Sequence, residues 1–121
     1  MFKVVVAGGR DFDNPNMLDR CLRKYLANYM HNPSTSLEIV CGGARGADSL
    51  GRDWANALGV PVALFEADWN THGKKAGILR NIEMGDYADG LILFWDGQSK
   101  GSKHMLEYMR SLGKPVRVVK Y

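Results

Sequence analysis

The sequence predicts one α/β domain, a doubly wound parallel sheet of about five strands flanked by four helices. Three observations predict it. Short apolar runs alternate strictly with amphipathic stretches, the connections are short, and 121 residues leave room for one domain over residues 1–121. The apolar runs are continuous and rich in Val, Ile, Leu and Phe, as expected where both faces of a parallel sheet are covered. With 45% hydrophobic and 24% charged residues, the composition is that of a globular chain and excludes a disordered or membrane class.

The elements follow in order. Lys3–Ala7 is the first strand. A helix is expected from Asn14 to Met30, because Met17, Leu18, Cys21, Leu22, Tyr25, Leu26 and Tyr29 recur at helical spacing. Asn14 can cap it and Pro15 suits its first position. Glu38–Cys41 is the second strand. The helix from Ala47 to Leu58 buries Leu50, Trp54 and Leu58 and ends at Gly59. Val60–Phe65 is the third strand, and a helix between Lys75 and Tyr87 follows a long polar segment. Leu91–Trp95 is the fourth strand, with Trp95 and Trp54 assigned to the core. The last helix, Ser102 to Leu112, faces Met105, Leu106, Met109 and Leu112 inward and leads through Gly113 to the last strand, Val116–Val119. This alternation implies right-handed crossovers and a Rossmann-like sheet.

The unusual residues fall on one edge of that sheet. Strand-to-helix loops carry Gly8-Gly9-Arg10-Asp11-Phe12-Asp13, Gly42-Gly43-Ala44-Arg45-Gly46-Ala47-Asp48, the segment from Glu66 to Gly77, and Asp96-Gly97-Gln98-Ser99-Lys100-Gly101-Ser102. The loops at the other edge, Asn32–Ser36, Gly59, Asp89-Gly90 and Gly113-Lys114, read as plain turns. Fold stability alone does not require this asymmetry, whereas ligands of open parallel sheets bind at the carboxyl ends of the strands. Glycine lets a ligand approach the backbone, the following helix offers unpaired N–H groups, and an arginine adds a charge-assisted partner. An anion site is therefore expected, with Gly42-Gly43-Ala44-Arg45-Gly46 as its sharpest part. Asp48 reads as a complement to its helix N-terminus more than as a chemical group.

Around that loop, Arg10 either holds a ligand or pairs with Asp11 or Asp13. Phe12 either stacks on a base or staples the first helix. Asp68 to Gly77 reads either as a flap, with Trp69 as a stacking platform and Lys74 or Lys75 as a phosphate partner, or as an ordinary surface loop with Trp69 tucked into the core. Arg80 and Asn81, in the first part of the next helix, either point back at the site or are an ordinary polar pair on the helix surface. Asp96, Gly97 and Gly101 form a second cradle whose Ser102 caps the helix or donates to an anion, with His104 in the first turn.

The remaining numbers constrain partners. A net charge of +3 suits an anionic ligand, but no Lys/Arg tract points to nucleic acid. Cys21 and Cys41 have no metal-ligand spacing, so reduced thiols and no metal or resident cofactor are expected. Without a signal-peptide pattern or membrane-length apolar run, the expectation is a cytoplasmic protein with no membrane partner.

Gly9-Arg10-Asp11-Phe12, Gly42 through Asp48, Ala67-Asp68-Trp69, Gly73-Lys74, Arg80-Asn81 with Met84, Ala88-Asp89, and Phe94 through Gly97 with Gly101 through Met105 together resemble the YspA/YpsA-related branch of the SLOG superfamily. The resemblance spans nearly the whole chain, and such small proteins occur in bacteria and phages. Relatives include LOG phosphoribohydrolases, the Rossmann domain of DprA and nucleotide-sensing domains of bacterial conflict systems. The resemblance implies a nucleotide or nucleotide-derived ligand such as an ADP-ribose-like molecule, and a homodimer.

It also assigns roles. Arg80-Asn81-Ile82-Glu83-Met84 resembles the LOG Arg-Lys-x-x-Met motif, which gives Arg80 a catalytic role. The LOG glutamate, three positions after the Ser/Thr of a Gly-rich loop, falls here on Met105, which cannot act as acid or base. Asp96 and Asp11 stand as alternative carboxylates, with Asp96 paired to Arg80 as the candidate catalytic set. The leading expectation is a ligand-binding module. The alternatives are a nucleotide N-glycosidase and a single-stranded DNA binder that stacks bases on Phe12 and Trp69.

Overall fold

A computed structural model describes residues 1–30 and 36–121. Its five strands are β1 (Phe2–Gly8), β2 (Leu37–Cys41), β3 (Val62–Leu64), β4 (Gly90–Trp95) and β5 (Val116–Lys120). They form one all-parallel sheet in the order β3-β2-β1-β4-β5. Val5 pairs with Val40 on one side and Leu91 on the other, so β1 is central. Strand order reverses between β1 and β4, which opens a crevice at their carboxyl ends.

Four helices of eleven or twelve residues cover the sheet: α1 (Pro15–Tyr25), α3 (Ala47–Leu58), α5 (Ala76–Tyr87) and α6 (Lys100–Ser111). Two shorter ones, α2 (Ala27–Met30) and α4 (Trp69–His72), are also present among the described residues. Side chains alternate across a strand, so β1 serves two cores. Val4 and Val6 pack with Leu18, Leu22, Trp54 and Ala55 of α1 and α3. Val5 and Ala7 pack with Met84, Met105 and Met109 of α5 and α6.

Several element boundaries differ from the sequence expectation. The helix expected over 14–30 breaks at Leu26 (φ −109°, ψ 11°), and the turned chain stacks Tyr29 on Phe2 with ring centroids 4.3 Å apart. Asn14 does cap α1, its Oδ1 accepting from Met17 N at 3.0 Å. The expected turn Asn32–Ser36 lies, except for Ser36, outside the described residues. β3 is only three residues long, because Val60 N is bonded to Ala55 O at the end of α3 and Pro61 has no N–H to give. Leu58 and Leu112, expected inside, are 40% and 41% exposed, each in or just past the last turn of its helix.

Two assignments near the site also change. The segment expected as a flap is α4 followed by a 3-10 turn (Gly73–Lys75), and Asp68 caps α4 by accepting from Thr71 N at 3.1 Å. α6 starts two residues before Ser102. Its cap is Ser99, whose hydroxyl accepts from Ser102 N at 3.4 Å.

Candidate functional site

The crevice between β1 and β4 is built first from backbone. Gly9 N donates to Phe94 O at 3.0 Å, bridging the two strands where their order reverses. Gly9 O accepts from Ala47 N and Phe12 N, both at 3.3 Å, which ties the loop after β1 to the start of α3. Gly46 makes this approach geometrically possible. It sits at φ +86°, and a Cβ there would lie 2.2 Å from Gly9 O and 2.7 Å from Arg10 Cα. Only glycine fits.

The loop after β2 is then wound round a carboxylate. Asp48, in the first turn of α3, is 5% exposed and its Oδ2 accepts from Gly42 N at 3.1 Å. On the other side of the same residue, Arg80 Nη1 donates to Gly42 O at 2.8 Å. Gly42 is held between the two side chains so tightly that a Cβ would fall 2.8 Å from Arg80 and 2.9 Å from Asp48. The expected phosphate cradle thus has its own anion: the amides of Gly42 and Ala44 serve Asp48.

α5 and α6 supply the opposite wall. Asn81 Nδ2 donates to Gly101 O at 3.2 Å and lies 3.4 Å from His104 Nδ1, fixing the start of α6 against α5. Asp96 Oδ1 accepts from Gln98 N at 2.8 Å and Ser99 N at 3.0 Å, shaping the turn that enters α6. Between these walls lies a cleft of about 830 Å³. Among the described residues, the buried polar side chains are Asp48, Asn81 and Ser102, 5%, 7% and 6% exposed, and all three line it.

Charge is arranged unequally around the cleft. Arg10, Arg45, Lys74 and Arg80 line it with Asp11, Asp13, Asp48 and Asp96. Three of the four acids are engaged internally: Asp48 and Asp96 with backbone amides, and Asp11 with the Tyr121 hydroxyl at 2.6 Å. Among the described residues, Arg10, Arg45 and Lys74 make no ion pair or hydrogen bond. Arg80 Nε is buried with no acceptor among the described residues.

These environments set the acids apart. Burial pushes the Asp48 carboxyl up to about 6, against the opposing pull of Arg80, the Gly42 and Ala44 amides and Arg10. The amides of Gln98 and Ser99 hold the Asp96 carboxyl below the usual carboxylate range, so it stays ionised and shapes the loop. Burial and its bond to Asp11 raise the Tyr121 hydroxyl.

Of the residues expected at the site, Gly8, Gly9, Arg10, Asp11, Ala44, Arg45, Asp48, Trp69, Lys74, Arg80, Asn81, Asp96, Gly101 and Ser102 line the cleft. Gly42 and Gly43 line an adjoining recess of about 390 Å³ that shares Arg10, Arg45, Trp69 and Arg80 with it. Gly46, Gly97 and His104 line neither; Gly46 and His104 act on the walls from behind. Phe12 is 3% exposed and stacks on Phe94 at 4.8 Å, so it staples the core and faces no base. Trp95 is half-buried, donating from Nε1 to Ser99 O at 3.1 Å, while Trp69 is 51% exposed at the rim.

Sequence reasoning missed Ser99, Asp13, Gly77, Ile78 and Met84 as lining residues. Ser99 and Asp13 stood within loops already singled out, and Gly77 and Ile78 follow Lys74 by one helical turn. Met105, where a catalytic glutamate was expected, is 1% exposed and lines the cleft with its side chain in the core.

The comparisons agree with this architecture. The family described as YspA, cpYpsA-related SLOG (YAcAr) matches residues 2–72, which include the loops after β1 and β2. The Gene 61 protein of Mycobacterium phage D29 is 38% identical over 123 residues, an alignment covering 96% of this chain and 94% of that one. The X-ray structure of DNA processing protein A (DprA) from Streptococcus pneumoniae superimposes with a TM-score of 0.75 at 18% identity. That match covers 98% of this chain and 50% of the DprA chain, so the chain spans about half the length of that protein and shares its fold. By sequence match and relative, the chain belongs to the YspA, cpYpsA-related SLOG family.

Proposed function

We propose that the chain binds a phosphorylated nucleotide or nucleotide-derived ligand, of nucleoside monophosphate or ADP-ribose/NAD type, in the cleft between β1 and β4. One observation carries this reading. The buried polar side chains Asp48, Asn81 and Ser102 converge on a single cleft, beneath a rim whose Arg10, Arg45 and Lys74 are unpaired among the described residues. On the same cleft Arg80 Nε is buried with no acceptor among the described residues, a costly state that an acceptor oxygen of a ligand would relieve. The cationic rim selects an anion, and Trp69 offers a face for a base. Such ligands are soluble nucleotides, which suits a cytoplasmic protein; the paired copy of a homodimer is carried over from relatives and is tested by sedimentation.

Calorimetry against nucleoside monophosphates, ADP-ribose and NAD tests the reading. At least one should bind, and Arg45→Ala should weaken it about 10- to 100-fold, the value of a charged hydrogen bond. No binding across the panel, or an unchanged Arg45→Ala protein, removes the reading. A nucleotide N-glycosidase is the second reading, favoured by Arg80 and two carboxyls, Asp48 and Asp96, on one cleft. It requires release of free base from a nucleoside monophosphate, lost in Arg80→Ala.

A further inference from the structure

A carboxylate on the floor of an anion-binding cleft poses an electrostatic problem. Asp48 is almost fully enclosed, its Oδ2 accepts from Gly42 N at 3.1 Å, and it lines the same cleft as Arg45 and Lys74. The charged and titratable groups facing it are Arg80 from α5, Arg10 from the loop after β1, and the Cys41 thiol at the end of β2. Asp11, Asp13 and Asp96 line the cleft farther round, and His104 of α6 reaches its wall only through Asn81. Burial already outweighs the favourable partners, leaving the carboxyl at about 6.

An anion entering the cleft worsens the position of the ionised form twice. It brings a like charge close, and it displaces water that solvated the carboxylate. One proton relieves both. A neutral carboxyl can still accept from the Gly42 and Ala44 amides, while its O–H becomes a donor toward the ligand.

Resting on the anion-site reading of the cleft, we propose that Asp48 meets the bound ligand as a neutral carboxylic acid, donating a hydrogen bond to a non-bridging phosphate oxygen, and that binding therefore takes up one proton from solution. The proton adds to an Asp48 carboxylate oxygen, no covalent bond of the ligand changes, and the buffer is the source. Asp48 is then the residue that converts an acidic floor into one that accepts phosphate.

ADP-ribose is the probe of choice, because its two phosphates share an anhydride bridge and each carries one ester, so neither has a second ionisation and their charge stays constant from about pH 5.5 to about pH 8. Calorimetry in buffers of different protonation enthalpy counts the protons taken up. Near neutrality the full chain should take up close to one proton per ligand. Its affinity should rise by up to about tenfold per pH unit as pH falls toward 6. Asp48→Asn, uncharged and carrying an N–H donor, should bind at every pH with an affinity near the low-pH value of the parent and take up no proton. Asp48→Ala, checked for folding by circular dichroism, should also take up none but bind more weakly than Asp48→Asn.

Binding of ADP-ribose without proton uptake, or loss of binding at all pH values in folded Asp48→Asn, overturns this inference while leaving the anion site standing. No binding of ADP-ribose at about pH 5.5 overturns it as well, and the mononucleotide panel then decides the fate of the anion site separately.

Discussion

At the scale of single residues, the buried Asp48 should govern how stability responds to pH in the ligand-free protein. Its carboxyl sits at about 6 in the fold, against 3.8 for the ordinary side chain. A raised carboxyl contributes stability that is complete below about pH 4 and lost as pH climbs through about 6. The size is about 3 kcal/mol between those limits. Asp19, Asp68 and Asp96 act in the opposite sense, since each is held low by hydrogen bonds and loses its contribution only as pH falls through its own lowered value. Urea denaturation of wild type and Asp48→Asn in parallel isolates the first effect. The difference between them should shift in favour of Asp48→Asn from about pH 4 to about pH 7 and then level. A difference that does not change with pH would show that the carboxyl is ordinary. None of this was legible in the sequence, where Asp48 reads as a charge near a helix N-terminus. Its burial depends on Arg80, which lies 32 positions farther along the chain, and on the fold that closes over both.

At the scale of elements, the loop between β2 and α3 is the joint on which the site turns. Gly46 lies in a backbone region that side chains avoid, at a cost of about 1–3 kcal/mol, and a Cβ there also strikes the Gly9 carbonyl. Gly46→Ala should therefore destabilise by more than about 3 kcal/mol and separate the loops that carry Arg10 and Arg45, so ligand affinity falls with stability. A chemical-denaturation midpoint unchanged from wild type would mean that the loop can relax. The entry to α6 separates capping from binding in a second way. Ser99→Ala should cost about 1 kcal/mol of stability through loss of the cap, whereas Ser102→Ala should spare the cap and weaken the ligand. The sequence revealed the glycines but offered Ser102 as the cap and gave Ser99 no role. Asp96 is the reason, because it folds Gln98 and Ser99 into a turn that starts the helix early. The break after Tyr25 was hidden for a similar reason: helical periodicity continues through Tyr29, but Phe2 draws that ring to the sheet. Local pattern gives way wherever a distant residue decides the boundary.

At the scale of the whole molecule, strand–helix alternation and the clustering of glycine and arginine on one set of loops made the sheet and the edge of the site readable. Strand order was a different matter, because alternation alone does not say where β4 inserts; the pairing of Val5 with both Val40 and Leu91 places the reversal at β1. That reversal limits what the cleft can hold. Single-stranded DNA, the other ligand considered from the sequence, binds on aromatic platforms along a basic groove. Here Phe12 is locked against Phe94 and Tyr121, which leaves Trp69 as the exposed aromatic of the cleft. The net charge of +3 is modest, and the rim cations without an ion pair among the described residues are Arg10, Arg45 and Lys74. With about three phosphates neutralised, log affinity for a single strand should fall against log salt with a slope no steeper than about −2. A thymidine oligonucleotide of about ten residues should then bind no more tightly than a single nucleotide of the panel at about 0.15 M salt, measured by fluorescence anisotropy. Tighter binding with a steeper slope would move the function from a nucleotide site to a strand-binding surface, and Arg45→Ala would then reduce the slope by close to one unit.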